Sequence, residues 1–575
     1  MKNSTLFHAL QNAADLGLST SGIRYLDRRE TETVRRFPDL AERAAKIAQG
    51  LWNRGVRPGD TVAIVLPTSP HFTDIFFACS WMNAIPVPLY PPVRLGRLEE
   101  YYDQTALMLK KVEASVLVTD DRAGKLMGAV LQRYTPRNGI HRVEKLLADT
   151  PMDAHTPTPD DIALVQFSSG TTGQPKPVAL THQQVIANAE VILSCLPQEN
   201  IHERCGVSWL PLYHDMGLIG CVFPALLSPA SIVLIPPEAF LARPSIWLRA
   251  LSKYKGMIAP APNFAYDLCV ERIKDEELDG CDLSSWQFAL NGAETTSPKT
   301  MRSFYNRFKK WGLRQEAMTP VYGLSEAALA VTFGSLPNVF TTTKFSRDDL
   351  RSDQVKPCPD GIELASVGKP LHGFGVQIRT DEGQLSAPDK IGRIWVKGPS
   401  VMDQYLDGTP PPRDGEWLDT GDLGFIFDDQ LYISGRAKEI IVIRGRNHTP
   451  GEFEQPLDSV EGIRTGCSIA VGEPTVDGER LIVFTEYRGQ PSEDLAERCQ
   501  QAIRAATGIS PDLLITLEPG TLPRTSSGKM RRGLALRQWN KGELDAPNSV
   551  TPWFLAGALA RSAWTEVQHR LSNHD

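Results

Sequence analysis

An apolar run, Ile162–Phe167, leads directly into Ser168–Lys176, which reads SSGTTGQPK. A strand that ends in Ser, Gly and Thr leaves consecutive backbone N–H groups free, and these groups and the hydroxyls can wrap phosphate oxygens. Gly170 and Gly173 let the backbone approach closely because no Cβ intervenes, and Lys176 adds a point charge. The Gly-x-x-x-x-Gly-Lys-Ser/Thr spacing of a Walker A loop is absent. By itself, a loop of this composition is more often a polar surface turn than a phosphate site.

Six further segments follow it: SWLPLYHDMGLIG (Ser208–Gly220), NGAE (Asn291–Glu294), VYGLSEA (Val321–Ala327), WLDTGDLG (Trp417–Gly424), SGRAKEIIVIRGRN (Ser434–Asn447) and LPRTSSGKMRR (Leu522–Arg532). In this order and at these separations, the set resembles the adenylate-forming superfamily of acyl-CoA synthetases, luciferases and peptide-synthetase adenylation domains, over residues 20–540. The reaction so implied has a carboxylate oxygen attack the α-phosphorus of ATP and expel pyrophosphate. The protein must hold two anions together and neutralise charge that develops on phosphate oxygens.

The resemblance distributes that work. Ser168, Ser169, Gly170, Thr171, Thr172, Gly173 and Lys176 would cradle the β- and γ-phosphates, and Glu326 with Thr171 would hold Mg²⁺. Tyr322, Gly323 and Ser325 would lie near the α-phosphate and adenine, with Asn291, Gly292 and Ala293 lining the adenine site. Asp422 has the acceptor-only side chain that ribose hydroxyls require, and Arg436 could add a donor to ribose or phosphate. Lys529 would reach the junction of α-phosphate and carboxylate, and His214 would stand near the acyl carboxylate. Lys529, Glu326, Thr171 and His214 are thus the expected catalytic set. A helix start capped by Asp215 is the plain reading of His214–Asp215, and a lone His-Asp pair has too few ligands for structural zinc.

Within the superfamily, WLPLYHDMGLIG and IRGRNHTP are similar to the fatty acyl-AMP ligase branch, and 334–367 looks like the insertion of those ligases. Such an insertion can brace the C-terminal domain against the orientation that uses CoA. The acyl-adenylate would then pass to the phosphopantetheine of an acyl carrier protein. The partners expected are therefore a fatty acid and a carrier protein. An acyl-CoA ligase, or an adenylation enzyme for another carboxylic acid, is the alternative; a non-catalytic nucleotide- or acyl-binding protein is a third reading. Two departures stand out: Pro177 follows Lys176 where Gly is usual, and GEFE (Gly451–Glu454) is an atypical continuation of IRGRNHTP.

The elements that must carry these residues are legible as short apolar strands alternating with helices. Leu40, Ala44, Ile47, Ala48 and Leu51 repeat at helical spacing, and Asp39 with Glu42 forms a capping-box-like start after Pro38. Gly55 closes that helix, Arg57–Asp60 turns the chain, and Thr61–Leu66 reads as a buried strand. The alternation continues through Ile162–Phe167, Ser231–Ile235 and Gly256–Pro260, which argues for α/β layers with mostly parallel sheets. The expected architecture is a large N-terminal domain (1–434) of layered α/β sheets with a small β-barrel-like subdomain from about Ser366. A smaller, mobile α+β lid (435–548), hinged near Lys438 by resemblance, and a helical tail (549–575) complete it. LDSV (Leu457–Val460) contains the Asp-Ser dipeptide of carrier sites but lies inside the lid pattern.

Bulk properties agree. A chain of 575 residues exceeds one ordinary core, and 61 Lys+Arg against 68 Asp+Glu, net −7 with no long basic run, speaks against nucleic acid as a partner. The nine cysteines form no C-x-x-C pair, which suits reduced thiols in a cytoplasmic protein. No apolar run is long enough for a membrane span, and the N-terminus lacks a signal-peptide core.

Overall fold

The computed structural model describes residues 3–92, 95–168, 174–199, 201–334, 338–475, 478–525 and 528–547, together with Leu559 and Ser562. Ser169, Gly170, Thr171, Thr172 and Gly173 of the candidate phosphate loop lie outside the described residues, as does the tail apart from Leu559 and Ser562.

Two sheets form the body. The larger has nine strands, in the order Lys369–Pro370, Ala330–Phe333, Met318–Gly323, Phe288–Asn291, Ile258–Ala261, Cys205–Ser208, Ser231–Leu234, Gly22–Leu26, Glu32–Arg35. Its six central strands are parallel and both margins turn antiparallel. The second is a four-stranded parallel sheet, Ile85–Leu89, Thr61–Val65, Val116–Thr119, Ile140–Arg142. These central strands are buried on both faces, as crossover helices require, and so read as continuous apolar runs. The helix Phe37–Trp52 buries Leu40, Ala44, Ile47, Ala48 and Leu51, as its spacing predicts. The expected capping box is absent. The helix begins at Phe37 after Arg36, so Asp39 and Glu42 lie within it, and the start is set by Pro38, whose fixed φ suits a first turn.

Ile162–Ser168 departs from the parallel expectation. It pairs antiparallel with Lys176–Thr181, Ser168 opposite Lys176, because so short a connection cannot make a parallel crossover. From Gly375 onward a five-stranded antiparallel sheet follows, made of Gly375–Arg379, Gly392–Lys397, Arg413–Asp414, Trp417–Phe427 and Gln430–Arg436. The C-terminal part has its own core, in which Phe453, Leu457, Val483, Cys499 and Ile503 pack beside the sheet Ile463–Thr475, Gly478–Tyr487, Leu513–Leu517. Of LDSV, Leu457 is buried in this core while Asp458 and Ser459 are exposed. No helix among the described residues is long and apolar enough to cross a membrane.

Segment 334–367 joins these parts. Its hairpin, Thr342–Phe345 with Ile362–Ala365, packs Phe345 against Phe425, Phe427 and Tyr432 of the five-stranded sheet. Beyond it, Arg351 donates through Nε and Nη2 to Glu452 Oε2 at 3.2 and 2.8 Å. Asn447 reaches Asp353 at 3.0 Å, and Arg446 reaches Asp348 at 3.1 Å. Glu452 belongs to the atypical GEFE, whose other carboxylate, Glu454, pairs with Arg532 at 2.7 Å. The unusual residues are thus the ones that hold segments together.

The helix Leu6–Leu16 is anchored by His182, 1% exposed, whose Nδ1 accepts the Leu6 N–H at 3.1 Å. Burial, with a smaller push from His8 and against the pull of Asp161, lowers the His182 pKa to about 4. The native protein therefore keeps the ring neutral while the unfolded chain protonates near 6.5. The stability it confers is complete above pH 6.5 and declines as pH falls toward 4, by about 3 kcal/mol. Thermal midpoints measured from pH 7 to pH 4 should fall less steeply in His182→Gln than in the wild type.

Candidate active site

A cleft of about 1680 Å³ opens where the parallel strands Cys205–Ser208, Ile258–Ala261, Phe288–Asn291 and Met318–Gly323 end, and the C-terminal part forms its other wall. Open parallel sheets bind ligands at this edge, since loops diverge there and leave room between them.

At one end stand Ser168, Lys176, Glu326 and Tyr405. The Ser168 hydroxyl donates to Glu326 Oε1 at 3.0 Å and the Tyr405 hydroxyl donates to the same oxygen at 3.2 Å. The Lys176 ammonium lies 4.9 Å from the Tyr405 ring centre, an attraction that fixes its direction. Pro177, which has no N–H to give, uses its carbonyl to accept from Leu406 at 2.8 Å. The turn carrying Glu326 closes tightly: a Cβ on Gly323 would stand 1.7 Å from the Leu329 carbonyl oxygen, so only glycine fits. Among the described residues no three His, Cys, Asp or Glu gather as a metal cage. One cleft-lining carboxylate is instead the donor set that suits a magnesium ion carried on substrate phosphates.

In the middle, His214 Nδ1 lies 2.6 Å from Asp215 Oδ1, and the Ser325 hydroxyl donates to Asp215 Oδ2 at 2.6 Å. A π-helical turn, Leu218–Val222, follows immediately. Pro224 explains it: its ring and missing N–H forbid the ordinary bond to the Gly220 carbonyl, so the helix widens. Asp215 is buried, which opposes ionisation. The adjoining imidazole, the hydrogen bonds from His214 and Ser325, and the Lys529 ammonium outweigh burial and hold this carboxyl well below the usual range.

Elsewhere in the cleft Asp422 uses both oxygens. Tyr322 donates to Oδ2 at 2.8 Å, and Arg436 Nε lies 3.0 Å from Oδ1. Asp422 and Arg436 face each other across neighbouring strands, so sheet register sets this pair. Asp422 raises the Arg436 pKa, while burial keeps the Tyr322 phenol protonated as a donor. Each carboxylate oxygen retains a second lone pair for a ligand hydroxyl. Lys529 closes the cleft from the C-terminal wall. Its N–H donates to Thr525 Oγ1 at 3.0 Å, and Arg532 fixes the next turn by pairing with Glu439 at 2.8 Å and Glu454 at 2.7 Å. Withdrawal from water and the Arg436 charge lower the Lys529 pKa, whereas Asp215, Glu294 and Asp422 act to raise it.

Ser168, Lys176, His214, Ala293, Tyr322, Gly323, Ser325, Glu326, Asp422, Arg436 and Lys529 therefore line one cleft. Asn291 and Gly292 do not. The Asn291 side chain is fully buried and donates to Asn263 Oδ1 at 2.8 Å behind the wall, and Gly292 is packed against Val321. Strand alternation turns Asn291 inward, so these two positions support the site. Tyr405 was not legible as a site residue. A single tyrosine nearly eighty residues from Glu326 carries no local pattern, and only its hydrogen bond reveals it.

The model of the AMP-binding enzymes matches residues 27–406. The chain belongs to this family. Among its relatives, a Caulobacter vibrioides protein named provisionally as an acyl-CoA synthetase is 32% identical, over 92% of this chain and 94% of its own. A long-chain-fatty-acid–AMP ligase of Mycobacterium tuberculosis is 30% identical over 84% of this chain and 87% of its own. A structure from a study of fatty acyl-adenylate ligases of E. coli and L. pneumophila superposes with a TM-score of 0.87 at 31% identity, covering 94% of this chain and 98% of that one. The two-part α/β architecture is thus the one such enzymes share.

Replacing Asp215 by Asn removes one of the carboxylates that support the Lys529 ammonium. Followed by NMR of ¹³C-methylated lysines, Lys529 should titrate at lower pH in Asp215→Asn than in the wild type.

Proposed function

We propose that the protein is a fatty acyl-AMP ligase, which activates a fatty acid with ATP to an acyl-adenylate and releases pyrophosphate. The observation that carries this reading is the convergence of Glu326, Asp215–Ser325, Asp422–Arg436 and Lys529 on one cleft of an AMP-binding enzyme. Relatives and structural neighbours named as fatty-acid–AMP or fatty acyl-adenylate ligases supply the acyl class.

The residues divide the reaction by charge. Asp422 accepts from the ribose hydroxyls and is kept oriented by Tyr322 and Arg436. Lys529 neutralises the charge that builds between the incoming carboxylate and the α-phosphate, where a preoriented cation in a water-poor cleft is worth most. Its ammonium must remain protonated there, and the flanking carboxylates preserve it. Asp215, ionised and fixed by Ser325, presents His214 toward the acyl carboxylate. Lys176 and Ser168 attend the departing pyrophosphate, and Glu326 would hold Mg²⁺ on the phosphates. Glu326 would hold that ion where it would supply Lewis-acid neutralisation of charge on the phosphate oxygens.

The chain is read as a body (1–434) with its insertion at 334–367, a lid (435–548) and a tail (549–575). Lys438, just past the strand Gln430–Arg436, is the proposed pivot. The contacts of Arg351, Asp353 and Asp348 with Glu452, Asn447 and Arg446 would brace the lid and disfavour the turn needed for CoA. The acyl group would then go to an acyl carrier protein. The name of the Caulobacter relative favours a second reading, an acyl-CoA ligase.

Lys529→Ala should cut acyl-AMP formation by at least ~100-fold with ATP binding retained, measured by pyrophosphate release and calorimetry. Mass spectrometry of products from ATP, Mg²⁺ and a ladder of fatty acids should find acyl-AMP whose yield ignores CoA. Arg351→Ala should let acyl-CoA appear by loosening the lid. Acyl-CoA formed by the wild type at a comparable rate would assign the chain to the second reading.

A further inference from the structure

Gln166 is the one polar side chain in the apolar interior of the strand Ile162–Ser168, and it is 3% exposed. Among the described residues, neither its Nε2 nor its Oε1 has a hydrogen-bond partner. A buried glutamine in the helix that follows this hairpin, His182–Ser194, behaves differently. Gln184 donates through Nε2 to Val401 O at 3.1 Å and Asp403 Oδ2 at 2.9 Å, and accepts through Oε1 from the Thr181 N–H at 3.0 Å. A buried amide with both ends idle is costly, and an apolar residue would fill the place more stably.

Its position says what it waits for. Side chains two apart on a strand share a face, so Gln166 stands directly behind Ser168, about 7 Å along the backbone. It is also opposite Val178, which bridges in turn to Tyr405. Ser168 and Tyr405 are the two residues whose hydroxyls hold Glu326, and both their bonds end on Oε1. All four residues line the cleft. The Ser168 hydroxyl opens the candidate phosphate loop, so a phosphate that recruits it takes one donor from Glu326.

We infer that Gln166 is a positioning residue for the Glu326 carboxylate, its amide N–H replacing the Ser168 hydroxyl when that group turns to substrate phosphate. The inference rests on the metal role proposed for Glu326. On this reading the amide engages Glu326 once phosphate has drawn the Ser168 hydroxyl away. A donor behind a metal-binding carboxylate sets which oxygen faces the ion, and loss of such partners typically costs 10–100-fold in metal affinity.

The test compares wild type with Gln166→Met, which keeps the length and removes the amide. Two quantities are read: the thermal midpoint without ligands, and Mn²⁺ binding in the presence of a non-hydrolysable ATP analogue, followed by electron paramagnetic resonance. The expected result is an unchanged or raised midpoint with Mn²⁺ half-saturation shifted upward by about tenfold. Gln166→Asn, which withdraws the amide by one methylene, should show the same shift, and it serves alone if the Met variant does not fold. Mn²⁺ curves that superimpose on the wild type overturn the inference, as does a midpoint that falls without change in Mn²⁺ binding. A wild type that binds no Mn²⁺ with the nucleotide overturns the metal role of Glu326 as well, which separates the two failures.

Discussion

The carboxylate of Asp422 is the point on which the separate parts of the molecule agree. Tyr322 reaches it from the nine-stranded sheet, Arg436 from the last strand of the five-stranded sheet, and Lys529 feels its charge from the C-terminal wall. A buried carboxylate is tolerated only when its oxygens are satisfied. The nine-stranded and five-stranded sheets must therefore meet in one arrangement for Asp422 to be accommodated, and that junction lines the cleft. Asp215 repeats the logic in the middle of the site, with Ser325 and His214 as its partners.

This design resolves a difficulty posed by the charge of the chain. A protein of net −7 has to attract a polyanion and a carboxylate. It does so by placing Lys176, Arg436 and Lys529 along the cleft and giving the last two their own counter-charges. Those counter-charges favour the protonated cations, and the contact with Asp422 holds the direction of Arg436. In the function proposed above, these cations would be in place before substrate arrives, so little reorganisation would be needed during reaction.

The contacts of segment 334–367 use the same chemistry for another purpose. Its aromatic hairpin is anchored on one side by Phe425 and Tyr432, whereas the contacts on the other side are polar, through Arg351, Asp353 and Asp348. Apolar packing fixes the segment where it must stay. Ion pairs and amide contacts, weaker singly than apolar packing, hold the C-terminal part.

Much of this was legible in the residues alone. The spacing of Leu40, Ala44, Ile47 and Leu51 defined a helix because one face must be buried, and the apolar runs defined central strands for the same reason. The motif order pointed to the site because each segment carries its chemistry within a few residues. Other features required the third dimension. The antiparallel pairing that sets Ser168 opposite Lys176, the inward turn of Asn291, and the arrival of Tyr405 at Glu326 depend on register and on contacts between distant segments. The amino-acid sequence by itself pointed to many of the elements, the family and most of the candidate residues that meet in the cleft, since these follow from local pattern. Tertiary structure decided which of them face the ligand and which support it, because a side chain's direction and its charge environment are set by neighbours that lie far away along the chain.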